Sequence, residues 1–144
     1  MQVLVVEDDV MLADFLAEAL VEDGHTVCGI ASTVVQAVAL AREHRPDIGI
    51  FDMQLLDGER GSDVADQLWA SGDLGHTGVL YVTGEAERVH REARVGHACL
   101  SKPFAFNTLY QALQIVRDIA QEGGTLRVLP RGMQLLNTHP LTAT

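Results

Sequence analysis

Apolar residues fall along this chain in two alternating rhythms. Short unbroken runs at 3–6, 26–31, 48–51, 78–82 and 98–100 are too brief for helices. They also lack the apolar–polar alternation of a strand with one wet face, so they predict strands buried on both sides. Between them the apolar positions recur at helical spacing. Leu12, Phe15/Leu16 and Ala19/Leu20 mark a first helix over 10–22, stopped at Gly24, and Val34, Val35, Val38 and Ala39 mark a second, ended by His44-Arg45-Pro46. Val64, Ala65, Leu68 and Trp69 mark a third, and Leu109, Leu113, Val116 and Ile119/Ala120 a last one. The stretch 85–94 is polar and predicts only a short helix. Five strand–helix units in series predict an α/β, doubly wound, five-stranded parallel sheet with helices on both faces.

Past residue 120 the rhythm stops. Gln121-Glu122-Gly123-Gly124 reads as a hinge and 121–144 as a tail, with an apolar segment at 126–136 broken by Pro130-Arg131-Gly132. That pattern suits a hairpin, a docking strand or a disordered end. The 144 residues accommodate one domain, 1–120, plus this tail. Ten basic residues against twenty acidic ones give a net charge of −10. That balance disfavours a protein that tracks a nucleic-acid backbone, which needs a cationic face. Two cysteines, Cys28 and Cys99, make no disulfide framework. No apolar run reaches the roughly 20 residues of a membrane helix, and the start lacks the basic residues of a secretory signal. A cytoplasmic protein without nucleic-acid or membrane partners is the expectation.

The strand ends carry the chemistry. In an open parallel sheet, ligands bind beyond the carboxyl ends of the strands. There the first strand delivers Glu7 and Asp8, the third Asp52, the fourth Thr83 and the fifth Lys102, the only lysine of the chain. Three crowded carboxylates repel one another and invite a hard divalent cation; Mg²⁺ suits oxygen ligands and retained waters. A carboxylate with a cation beside it and an ammonium opposite is equipped to attack phosphorus.

The segments Val5-Val6-Glu7-Asp8-Asp9, Phe51-Asp52-Met53-Gln54-Leu55, Val82-Thr83-Gly84 and Ser101-Lys102-Pro103-Phe104 together resemble the receiver domain of two-component response regulators. The resemblance spans about residues 1–120 and implies a flavodoxin-like topology. It makes Asp52 the phosphoacceptor, Asp8 a direct Mg²⁺ ligand, Glu7 a ligand acting mainly through water, and the Gln54 backbone carbonyl a further ligand. Thr83 would be the switch hydroxyl and Lys102 the phosphate-sensing cation, with a cis peptide before Pro103. The implied partners are a histidine kinase or histidine phosphotransfer protein in a phosphorelay, an unnamed downstream protein, and a second copy as a candidate dimer mate. Leu55, Gly58, Ala65-Asp66, Leu68 and Thr83-Gly84 further resemble small stand-alone receivers, although Glu85-Ala86 departs from that pattern. Leu56 stands where many receivers have proline, and Cys99 where the switch aromatic is usual. The short interval from Thr83 to Lys102 implies a trimmed fourth helix.

Other residues read more simply. Asp9 suits a helix cap. His90 and His97 lack a tight ligand spacing, Cys99 is a small buried hydrophobe, and Trp69 and the phenylalanines are packing residues. Asp57, Asp63 and Asp66 are solvated acids. A haloacid-dehalogenase-like phosphatase with Asp52 as nucleophile needs a general acid two residues on, where Gln54 stands. A nucleotide-binding module lacks its glycine-rich loop. A pseudo-receiver that binds without phosphorylation has no use for the full polar set. The expectation is therefore a stand-alone receiver, not a conventional enzyme, whose 84–97 stretch reorders on phosphorylation; a response carried by the tail is the competing view.

Overall fold

The computed structural model describes residues 1–136; the last part of the expected tail, 137–144, lies outside the described residues. Strands β1 (Gln2–Val6), β2 (Thr26–Ala31), β3 (Ile48–Asp52), β4 (Gly78–Thr83) and β5 (Ala98–Ser101) alternate with helices α1 (Val10–Glu22), α2 (Val34–His44), α3 (Gly61–Ala70), α4 (Ala86–Glu92) and α5 (Phe106–Glu122). The five strands are parallel, in the order β2-β1-β3-β4-β5. The doubly wound fold read from the sequence is thus present. The five-strand count is one short, because the tail adds a sixth strand, β6 (Met133–Leu135), antiparallel on the outer edge of β5.

Local chemistry sets the helix ends. The Asp9 carboxylate caps α1 by accepting the Leu12 N–H at 3.1 Å, and the Thr33 hydroxyl caps α2 by accepting the Gln36 N–H at 3.2 Å. Helix α5 ends at Gly123, whose φ of 84° lies in the left-handed region that glycine enters without a Cβ clash.

Strand alternation splits the core in two. Val3, Val5, Ile48, Ile50, Leu80 and Val82 face α1 and α5, while Leu4, Val6, Phe51, Val79, Tyr81 and Cys99 face α2, α3 and α4. Cys99 is fully buried, as expected of a small hydrophobe. The aromatic residues divide differently from the expectation. Phe51 is buried, but Phe15, Trp69 and Phe106 are 52%, 46% and 42% exposed. In α1 the buried row is Ala13, Leu16, Ala19 and Leu20, and Phe15 sits outside its arc. Helix α4 is short, and Val89 is its only fully buried residue, in keeping with the trimmed fourth helix. Among the described residues no helix is long and apolar enough to cross a membrane.

Candidate functional site

The strand order reverses between β1 and β3, and the cleft opens at that point beyond the strands' carboxyl ends. The cleft measures about 610 Å³ and is lined by Glu7, Asp8, Asp52, Thr83 and Lys102, with Leu12 and Leu55 among its walls. All five side chains singled out in the sequence converge there. β1 runs straight into Glu7, which is buried, and Asp8, which is half-buried; Asp52 and Thr83 are the last residues of β3 and β4 and both are buried. Lys102 follows β5, and the Lys102–Pro103 peptide is cis, as the resemblance implies.

Oxygen atoms of Glu7, Asp8 and Asp52 lie within 4.8 Å of one another. Such a cluster of hard donors fits a divalent metal ion. Lys102 Nζ donates to Asp52 Oδ2 at 3.1 Å and to Glu7 Oε1 at 3.3 Å, and the Gln54 N–H donates to Asp52 Oδ1 at 3.1 Å. Asp52 is thus held at both carboxylate oxygens.

The electrostatics of the cluster are uneven. Burial, followed by hydrogen bonding with Asp52 and by that residue's charge, pushes the Glu7 carboxyl up to about 7, against the pull of the Asp9 N–H and Lys102. Burial alone would lower Lys102; the charges of Asp52 and Glu7 outweigh it and hold the ammonium above its ordinary value. Without a bound metal ion Glu7 therefore takes up a proton at higher pH than an ordinary carboxylate.

The Thr83 hydroxyl accepts the Glu85 N–H at 2.9 Å and so ties the end of β4 to the entrance of α4. The Gln54 side chain is exposed, and it is the backbone N–H of this residue that reaches Asp52. One positioning residue escapes sequence reasoning. A Cβ at Gly61 would lie 2.3 Å from the Asp52 carbonyl oxygen, so only glycine lets α3 begin directly against the strand that ends in Asp52. Its sequence signal, a glycine three residues after the turn-forming Gly58, is shared by many loops.

The other candidates lie elsewhere. His97 is buried and its Nδ1 accepts the Val79 N–H at 2.9 Å, a structural role; His90 is exposed on α4. Asp57 is an exposed loop residue, with a left-handed φ of 59°.

The family model of the response regulator receiver domain matches residues 3–114. The transcriptional regulatory protein PdtaR of Mycobacterium tuberculosis is 33% identical over 138 residues, covering 92% of this chain and 66% of that protein. The phyllosphere-induced regulator PhyR of Methylorubrum extorquens is 38% identical over 106 residues, 72% of this chain and 38% of that protein. The chain thus spans 66% or less of the length of these two curated relatives. Among solved structures, the signal receiver domain of a modulated diguanylate cyclase from Desulfovibrio desulfuricans G20 superposes with a TM-score of 0.70 at 27% identity, covering 85% of this chain and 97% of that one. The response regulator PhyR from Brucella abortus gives 0.67 at 26% identity, over 85% and 49% of the two chains. A match over most of the chain, with an acidic cluster and a lysine at the strand ends where the fold binds its ligands, identifies the chain as a member of the response regulator receiver domain family, the phosphoacceptor signalling modules of two-component systems.

Proposed function

We propose that Asp52 accepts a phosphoryl group from the phosphohistidine of a histidine kinase or phosphotransfer protein, and that the phosphorylated chain presents an altered surface to a downstream protein. The observation that carries this reading is the setting of Asp52. Its carboxylate closes β3 at the floor of an open cleft, 3.1 Å from Lys102 Nζ and within reach of Glu7 and Asp8.

A carboxylate oxygen of Asp52 forms the new O–P bond while the N–P bond of the donor breaks, and that electron pair returns to the imidazole nitrogen. Lys102 holds the Asp52 carboxylate in place and offers its ammonium to a phosphoryl oxygen. Glu7, Asp8, Asp52 and the Gln54 carbonyl would hold Mg²⁺, which supplies positive charge against the transferring phosphoryl oxygens. Thr83 provides a hydroxyl that can leave the Glu85 N–H and donate to the acquired phosphoryl group. The added charge of about −1.5 to −2 drives that exchange.

The test is mass spectrometry after incubation with acetyl phosphate and Mg²⁺. The wild-type chain gains one phosphoryl group and the Asp52→Asn variant gains none. Wild-type stoichiometry in the variant overturns the assignment.

A further inference from the structure

β5 pairs with β4 on its inner side, so the backbone groups on its outer side need another partner. They find it in the tail. Met133, Gln134 and Leu135 pair with Leu100, Cys99 and Ala98, and the ladder runs past both ends. Ser101 N–H donates to the Gly132 carbonyl at 2.9 Å and Leu136 N–H to the His97 carbonyl at 2.9 Å.

The side chains alternate as edge pairing requires. Met133 is buried in the core on the α1/α5 side, and Leu136 packs against the core on the other side. Gln134 turns toward α4, where its Oε1 meets His90 Nε2 at 2.5 Å.

This strap is lightly held. It fully buries one side chain, Met133, and Leu135 is 44% exposed. The link 123–132 that carries it is anchored near its start, where Thr125 Oγ1 and Arg127 Nε donate to Asp118 at 2.7 and 3.0 Å. Beyond that anchor Val128 stands almost wholly in solvent.

We infer that the outer edge of β5 is a strand-accepting interaction site whose resident occupant is the chain's own 133–136 segment. A partner protein presenting an extended apolar–polar–apolar–apolar segment competes for it. Main-chain hydrogen bonds give such an addition its affinity, and the pockets for alternate side chains give its selectivity. Here the pocket that receives Met133 and the shelf that receives Leu136 define the order of apolar residues. The strap is the template for its competitor. The inference goes beyond the phosphoacceptor reading and needs no phosphoryl group for its test.

The test uses the full chain carrying Met133→Asp and Leu136→Asp, which put carboxylates where the strap needs apolar contacts and so vacate the edge. The probe is a fluorescent heptapeptide with the sequence of residues 130–136. It should bind the variant saturably and about tenfold or more tighter than it binds wild type. A peptide with aspartate in place of its methionine should lose that binding. No saturable binding to a variant that still melts cooperatively overturns the inference.

Hydrogen exchange on the wild-type chain decides the matter if the variant fails to fold. The Ser101 and Leu136 amides should exchange through a local opening, well ahead of the β1 and β3 amides. Exchange of all of them together, only through global unfolding, overturns the inference. A wild-type dimer in analytical ultracentrifugation that Met133→Asp abolishes makes a second copy the occupant and overturns the choice of a foreign strand.

Discussion

Two buried groups pull the stability of this protein in opposite directions across the same pH range. Glu7 is pushed up to about 7 from an ordinary 4.5, first by burial and then by Asp52. His97 is pushed down to about 4 from 6.5 by burial. Between these values the folded state binds more protons than the unfolded chain at Glu7, and fewer at His97. The Glu7 contribution is present at low pH and lost as pH rises through about 7. The His97 contribution is present above 6.5 and lost as pH falls toward 4. Between pH ~7 and pH ~5, linkage gives about 2 kcal/mol for each, with opposite sign, so the wild-type chain without metal changes little.

Substitution uncouples the pair. In urea unfolding with a chelator present, Glu7→Gln should lose about 2 kcal/mol on going from pH ~7 to pH ~5, since the His97 linkage is then unopposed by Glu7. His97→Asn retains an acceptor for the Val79 N–H and should gain about as much over the same interval. Saturating Mg²⁺ adds a third arm, because a bound cation keeps Glu7 ionised and should make the wild-type chain acid-labile like Glu7→Gln. This window stays above the range in which ordinary carboxylates titrate. If Glu7→Gln and wild type show the same pH dependence without metal, the proton is not on Glu7 and the electrostatic account of the cluster is wrong.

Lys102→Met should leave divalent binding measurable, because the three carboxylates remain, while Glu7 titrates at still higher pH once its nearest cation is gone. Amide shifts in the variant on adding beryllofluoride should stay close to Asp52; shifts as extensive as in wild type refute the proposed role of Lys102. Gly61→Ala should cost about 1–3 kcal/mol by forcing a methyl against the Asp52 carbonyl. It should also slow phosphorylation by acetyl phosphate, and a variant that matches wild type in both melting temperature and rate contradicts the packing argument.

The parallel strands and their acidic ends were legible because each reports a local rule. A doubly buried strand needs an unbroken apolar run, and a polar residue straight after it lies at the ligand edge of the sheet. What stayed hidden depends on tertiary placement. The tail's pattern allowed a docking strand beside a hairpin or a disordered end, but the choice among them rests on the edge of β5 and the burial of Met133, and neither condition shows in that pattern. Gly61 looks like any loop glycine until α3 is laid on the Asp52 carbonyl. Phe15 fits an apolar stripe as well as Leu16 does, and only the packed rotation of α1 leaves it 52% exposed. In the cluster, the residue types predicted mutual repulsion, but not that burial would push up the Glu7 carboxyl in particular.

The structure also narrows how a signal can leave the site. With Cys99 buried beside it, Tyr81 lies in the core on the α2/α3/α4 side, and its hydroxyl donates to the Val95 carbonyl just past the end of α4. That ring is wholly buried and tied to the backbone through its hydroxyl. Farther along α4, Gln134 of the strap holds His90. At the helix entrance, by contrast, Thr83 Oγ1 receives the Glu85 N–H, and the exposed Gly84 beside it places no side chain in the way. A Thr83 hydroxyl drawn to a phosphoryl group releases that N–H, so α4 should loosen from its entrance while its far end stays pinned. Hydrogen exchange with Mg²⁺ and beryllofluoride should therefore speed up first at 85–89, with 95–97 following only if the strap lifts. The sequence offered 84–97 and the tail as rival carriers of the response, and the His90–Gln134 contact joins them in series. Exchange that changes only at 133–136, with 84–97 unaltered, refutes that order.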